Sequence, residues 1–176
     1  MTRQQLEHIL RAAAAITGAD EVVVVGSQAV LGSYPDAPRA LTWSMEADVF
    51  TFRSTGDAHL IEGSIGEGST FHRTFGYFGH GVGEETSTLP RGWRDRLVPV
   101  KTENTGGATG LCLEVHDLAV AKLAAGREKD LEYIHALFKH GLVDERVVRD
   151  RLGETDLPTE QLQLCLQRLD RLRGAI

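Results

Sequence analysis

Val22-Val23-Val24-Val25-Gly26-Ser27, followed further on by Met45-Glu46-Ala47-Asp48-Val49-Phe50, is the part of this sequence from which the rest can be read. The valines are β-branched, carry no polar interruption, and predict a strand buried on both faces. The strand breaks at Gly26, a position where a side chain would obstruct a phosphate approaching the turn. The second apolar run, Ala47 to Phe52, predicts another strand. Glu46 and Asp48 lie two apart, so on extended chain they point to the same face. Two such carboxylates can share Mg²⁺, a hard cation that takes oxygen ligands and substrate phosphates.

Outward from this pair, Leu6, Ile9, Leu10, Ala13 and Ile16 recur at helical spacing and predict an amphipathic helix over 3–17, closed by Gly18. A short helix is expected directly after the Gly-Ser turn, over 27–31, then a loop over 32–38 carrying Pro35 and Pro38. A helix is expected over 57–63. The aromatic run Phe71 to Phe78 predicts a third strand, and His80 to Thr86 a loop. Leu89-Pro90-Arg91-Gly92-Trp93 predicts a turn, with Trp93 as a structural anchor. Leu97 to Lys101 and Leu111 to Val115 predict strands around a Gly106-Gly107 turn. From His116 the pattern is helical, with His116 and Asp117 suited to cap the helix and complement its dipole. Gly141 and Pro158 separate later helices near 144–152 and 158–173. Strands and helices first and helices last imply an α+β class, with an α/β core over 1–115 and a helical C-terminal segment over 116–176 packed on it.

At 176 residues, with 41% hydrophobic and 25% charged residues, the chain has enough apolar content for one domain with a real core. A net charge of −6 argues against a broad nucleic-acid-binding surface but not against a local basic pocket from Lys122, Arg127 and Lys129. No leader and no membrane-spanning run is apparent. Cys112 and Cys165 lack metal spacing and are expected as buried, reduced thiols, which points to the cytoplasm. There is no Walker A motif and no G-x-G-x-x-G fingerprint.

Lys122-Leu123-Ala124-Ala125-Gly126-Arg127-Glu128-Lys129-Asp130 is the second constellation. On a continuous helix Lys122 and Lys129 would share a face. The segment reads either as a solvated charged helix or as a phosphate-contacting one, since Lys suits a flexible point-charge contact with phosphate. His80, with Glu84 and Glu85, reads either as a polar surface loop or as a lid that supplies a further carboxylate.

Gly-Ser followed by acid-x-acid on the next strand resembles the active-site signature of the polymerase-beta-like nucleotidyltransferase superfamily. Lys122 to Asp130 resembles the Lys…Arg-x-Lys-Asp helix motif of its bacterial branch related to abortive-infection-type nucleotidyltransferase toxins, and Gly79 to Val98 looks like an uncharacterised subgroup of that branch. The resemblance spans roughly residues 20–140. It implies a mixed-sheet nucleotidyltransferase core followed by a helical segment. Glu46 and Asp48 would hold Mg²⁺, with Mn²⁺ as the substitute. Gly26, Ser27, Lys122, Arg127 and Lys129 would bind the nucleotide. Lys122 would contact phosphate, and Asp130 would assist the acceptor or the site geometry. The implied chemistry is transfer of a nucleoside monophosphate from an NTP to a tRNA or protein acceptor, with an antitoxin-like protein as a partner and no membrane.

This sequence departs from that pattern in three respects. The gap from Gly26-Ser27 to Glu46 is long, and the first acid is Glu where Asp is commoner. The expected third strand, Phe75-Gly76-Tyr77-Phe78, carries no acid. Glu84 or Glu85 would then complete the site; otherwise the chain is a degenerate member that binds a nucleotide or a partner without turnover, or an interaction protein with no nucleotide role.

Overall fold

The computed structural model describes residues 1–174. In chain order the elements are α1 (Arg3–Thr17), β1 (Glu21–Val25), a 3₁₀ turn (Ser27–Ala29), α2 (Val30–Ser33), α3 (Arg39–Thr42), β2 (Glu46–Phe50), α4 (Asp57–Ile65), α5 (Thr70–Phe75) and β3 (Phe78–Gly81). They continue with β4 (Val98–Val100), β5 (Thr109–Cys112), α6 (Val115–Ala125), α7 (Glu128–Lys139), α8 (Glu145–Gly153) and α9 (Thr159–Gly174). The fold is α+β: a mixed five-stranded sheet in the order β3-β2-β1-β5-β4, with helices packed on it. β1 runs antiparallel to β2 and parallel to β5; β2 is parallel to β3, and β4 is antiparallel to β5.

The central strand shows why four valines stand in a row. Val22 and Val24 join the large apolar cluster formed with α1 and the C-terminal helices, including Leu6, Leu10, Leu118 and Ile134. Val23 and Val25 point the other way, into a smaller cluster with Phe50 and Val82, covered by Trp93, Leu97 and Leu111. Both faces of β1 are therefore buried, and alternation would have exposed one of them.

Local signals account for the ends of the helices. Thr2 and Gln5 form a capping box at the start of α1, and Gly18 closes it in the left-handed conformation at φ 69°. Glu114, not His116 or Asp117, caps α6, accepting the His116 N–H at 3.0 Å. Asp117 lies in the first turn of α6, buried, and pairs with Arg96 at 2.9 Å and with Arg151 at 2.9 Å. Trp93 packs between the two clusters and against Phe52, a structural position.

Three further sequence readings need correction. Phe71 to Phe78 is not one strand. Ser69 accepts the His72 N–H and Gly76 ends the turn at φ 77°, so Thr70–Phe75 is helical. Phe71 and Phe75, one helical turn apart, stack with Tyr77 and His8. The strand begins at Phe78 and takes in His80, which had been expected in a loop. It is hard to see in sequence because two of its four residues are glycines, kept small by close packing: a Cβ at Gly79 would lie 2.9 Å from Ile65 Cδ1, and one at Gly81 2.0 Å from the Ala58 carbonyl oxygen. Finally, α6 and α7 are not continuous. Gly126 adopts φ 63° and its N–H closes on the Lys122 carbonyl, so Lys122 and Lys129 sit on different helices.

Candidate functional site

Strand register builds the acidic side of the site. Val25 pairs with Asp48, and Asp48 with His80, so these three residues lie in a row across β1, β2 and β3. Glu46, two residues before Asp48, shares that face. The result is a compact set of donors: His80 Nδ1 is 3.0 Å from Glu46 Oε1 and 3.2 Å from Asp48 Oδ1. One ligand atom from each of the three lies within 4.8 Å of the others, a spacing at which they could hold one metal ion. On the far side of the imidazole, Glu62 Oε2 is 4.0 Å from His80 Nε2, and that carboxylate is held by the Gly81 N–H at 3.2 Å.

Gly26 is required here by two separate facts. Its φ of 67° is left-handed, and a Cβ would fall 2.1 Å from Asp48 Oδ2. Its smallness thus makes room for the Asp48 carboxylate, as well as for whatever approaches the turn from outside.

The C-terminal helices build the basic side. Lys122, near the end of α6, places its ammonium 3.0 Å from Asp130 Oδ1 and 4.3 Å from the centre of the Tyr133 ring. Arg127 donates to the other oxygen of the same carboxylate at 2.6 Å. Asp130 is fully buried, so both cations are fixed from below by a carboxylate that solvent does not reach. Arg127 and Lys129 remain exposed.

These two sides face one cleft of about 880 Å³. Gly26, Ser27, Glu46 and Asp48 line it, and so do Lys122, Arg127, Lys129 and Asp130. Trp43 stands at its edge, 68% exposed. Among the residues predicted from sequence, Glu84 and Glu85 do not line it; both oxygens of Glu84 instead accept from Arg94 Nη2, at 2.6 and 2.7 Å. The position where a third carboxylate was sought is filled by His80.

Charge shapes the titration of these groups. Burial and the neighbouring Asp48 charge raise the Glu46 pKa, against the pull of His80. For His80 burial acts downward, but the hydrogen bond and charge of Asp48, with Glu62 and Glu46, outweigh it and raise the pKa. Burial lowers the Lys122 pKa despite Asp130 beside it. For Asp130 burial acts upward, and Arg127 and Lys122 overcome it, so the carboxyl stays below its ordinary value. Asp48 also acts through space on Lys122 and on Arg127, so the two sides of the cleft lie within electrostatic reach.

His80, Glu62 and Tyr133 were not singled out in these roles from the sequence. In sequence His80 reads as part of a polar surface loop or a lid, and only the register with Asp48 brings it to the carboxylates. Tyr133 is an aromatic within an amphipathic helix, which reads as core until its ring is found against Lys122.

No helix among the described residues is long and apolar enough to cross a membrane. No curated protein and no solved structure matches the chain. A family model described as "Nucleotidyltransferase of unknown function (DUF6036)" matches residues 4–163. The chain belongs to this nucleotidyltransferase family.

Proposed function

We propose that this chain binds an NTP with a divalent cation in the cleft and transfers the nucleoside monophosphate to an acceptor hydroxyl on RNA or protein. The observation that carries the reading is the two-sided cleft: carboxylates at one wall, Lys122, Arg127 and Lys129 at the other, with Gly26-Ser27 between strand and helix. Such an arrangement suits a polyphosphate that is itself bound to metal, because each wall meets the charge it attracts.

Glu46 and Asp48 fit a divalent ion, Mg²⁺ or Mn²⁺, through their same-face oxygens. A bound cation would neutralise charge on the attacking and leaving oxygens. Ser27 and the backbone at the turn meet the phosphates, and Lys122 supplies a point charge to them. Arg127 and Lys129 extend that positive wall toward solvent. Asp130 is a positioning residue: both its oxygens are taken up by Lys122 and Arg127, which supports a role in site geometry over one at the acceptor. Trp43 offers an open aromatic face on which a base can stack.

In the reaction the acceptor oxygen bonds to the α-phosphorus as the bond from that phosphorus to the bridging oxygen breaks. Pyrophosphate leaves with the electron pair, and the acceptor's proton passes to solvent. Catalysis of this kind works by positioning and electrostatics. The resemblance to abortive-infection-type toxins supports a toxin-like role in the cytoplasm, with an antitoxin-like protein as partner and tRNA among the RNA acceptors.

A second reading, nucleotide or partner binding without turnover, is favoured by one observation: an imidazole stands where a third carboxylate was expected. Incubation of the protein with α-³²P-labelled NTPs and total cellular RNA and protein separates the two. Label transferred by wild type and lost in Asp48→Asn supports the transferase. NTP binding without label transfer selects the second reading.

A further inference from the structure

We propose that His80 is the third protein ligand of the catalytic cation, oriented by Glu62, and that this makes the site select Mn²⁺ over Mg²⁺. The inference rests on the nucleotidyltransferase reading above and deepens it.

Three observations bear on it. First, His80 Nδ1 is the atom that faces the carboxylates, at 3.0 Å from Glu46 and 3.2 Å from Asp48. The position is set by the β2–β3 register, not by a mobile loop. Second, the other ring nitrogen has its own carboxylate: Glu62 Oε2 lies 4.0 Å from Nε2. A cation bound at Nδ1 takes the place of the proton that this nitrogen shares with Glu46 and Asp48, and the proton left on Nε2 then faces Glu62, the arrangement typical of metal-bound histidines. Glu62 is anchored by the Gly81 N–H, next in chain to His80, so the ring and its orienter are held by the same strand end. Third, the donor set is two carboxylates and one imidazole. Mg²⁺ takes oxygen donors almost exclusively, whereas Mn²⁺ and its neighbours accept nitrogen readily. Replacing a carboxylate by imidazole also removes one negative charge, which weakens the hold on a hard cation that depends on charge.

This places the departure from the three-acid pattern in a different light. The missing carboxylate is replaced by another ligand, and the expected consequence is a change of metal with the site still able to bind one.

Wild-type protein is loaded with Mn²⁺, alone and with α,β-non-hydrolysable analogues of the four common NTPs, and studied by electron spin echo spectroscopy. Coupling of the bound ion to an imidazole ¹⁴N, absent in His80→Gln, is the expected result. In parallel, calorimetry compares Mn²⁺ with Mg²⁺. Wild type should favour Mn²⁺ by about tenfold or more, and His80→Asp should shift the ratio toward Mg²⁺ by about tenfold. Glu62→Gln should weaken Mn²⁺ binding by about tenfold while leaving the ¹⁴N coupling visible at saturation. Mn²⁺ bound with no nitrogen coupling, lost in Asp48→Asn and with the same metal ratio in His80→Asp, overturns the inference and leaves the nucleotidyltransferase reading standing. No bound cation in wild type, with or without nucleotide analogue, overturns both.

Discussion

Tyr133 donates its hydroxyl to the backbone carbonyl of Ser27 at 2.6 Å, across 106 residues of chain. The same ring lies under the Lys122 ammonium at 4.3 Å. One buried side chain therefore ties the turn after β1 to the cation that faces it, and links the C-terminal helices to the geometry of the cleft. Tyr133→Phe keeps the ring and removes the donor. The expected outcome is a loss of about 1 kcal/mol in stability by denaturant titration, with weaker NTP binding by calorimetry. Unchanged NTP affinity in a variant that has lost that stability would confine Tyr133 to a structural role.

Gly26→Ala should be more disruptive than a surface glycine substitution. Its left-handed φ carries a cost of about 1–3 kcal/mol for a residue with a side chain, and the new Cβ forces the Asp48 carboxylate to move. Divalent-cation binding, followed by calorimetry on folded variant protein, should fall along with thermal stability. Gly68→Ala, another left-handed glycine but with open space around its missing Cβ, should show the backbone cost without the loss of cation binding.

Asp130→Asn breaks the buried bridge between α6 and α7 and leaves buried Lys122 without that counter-charge. A loss of about 3 kcal/mol in stability is expected, as for other buried pairs broken from one side. Lys122→Met combined with Asp130→Leu should recover much of that stability while leaving NTP binding impaired. If the double variant binds NTP as wild type does, the basic wall assigned here is wrong.

Acid stability should depend on Glu114. Burial alone would raise its pKa, but His116 and Arg151 outweigh burial and hold the carboxyl at about 2, below its ordinary 4.5. A folded-state pKa below the unfolded one means a contribution fully present above about pH 4.5 and lost as pH falls toward 2. Glu114→Gln should lower stability at neutral pH by about 1–2 kcal/mol after solvent screening, and flatten its decline over that acid window. Urea titrations from pH 7 to pH 2.5 check both effects; an identical slope in the two proteins would exclude Glu114 as a source of the acid sensitivity.

Much of the fold was legible because it depends on local patterns. The four valines of β1, the capped heptad-like spacing of α1 and the breaks at Gly141 and Pro158 each report their own element. β3 was hidden because Phe78-Gly79-His80-Gly81 has glycine where a strand usually has β-branched residues, and the reason is packing against Ile65 and Ala58 from distant chain. The shared face that a continuous helix would give Lys122 and Lys129 is excluded by a single backbone angle at Gly126. Of the cleft, the acids and the cations could be named from sequence because each carries its charge in a readable context. The place of His80 beside them could not, since it follows from which strand pairs with which.

The most direct test of the central claim is calorimetric titration of each NTP into wild type and Asp48→Ala, with and without a divalent cation. Expected is saturable binding of at least one NTP by wild type that needs the cation and is weakened at least about tenfold in Asp48→Ala. Absence of binding to any NTP by wild type, or binding indifferent both to the cation and to Asp48, would contradict it.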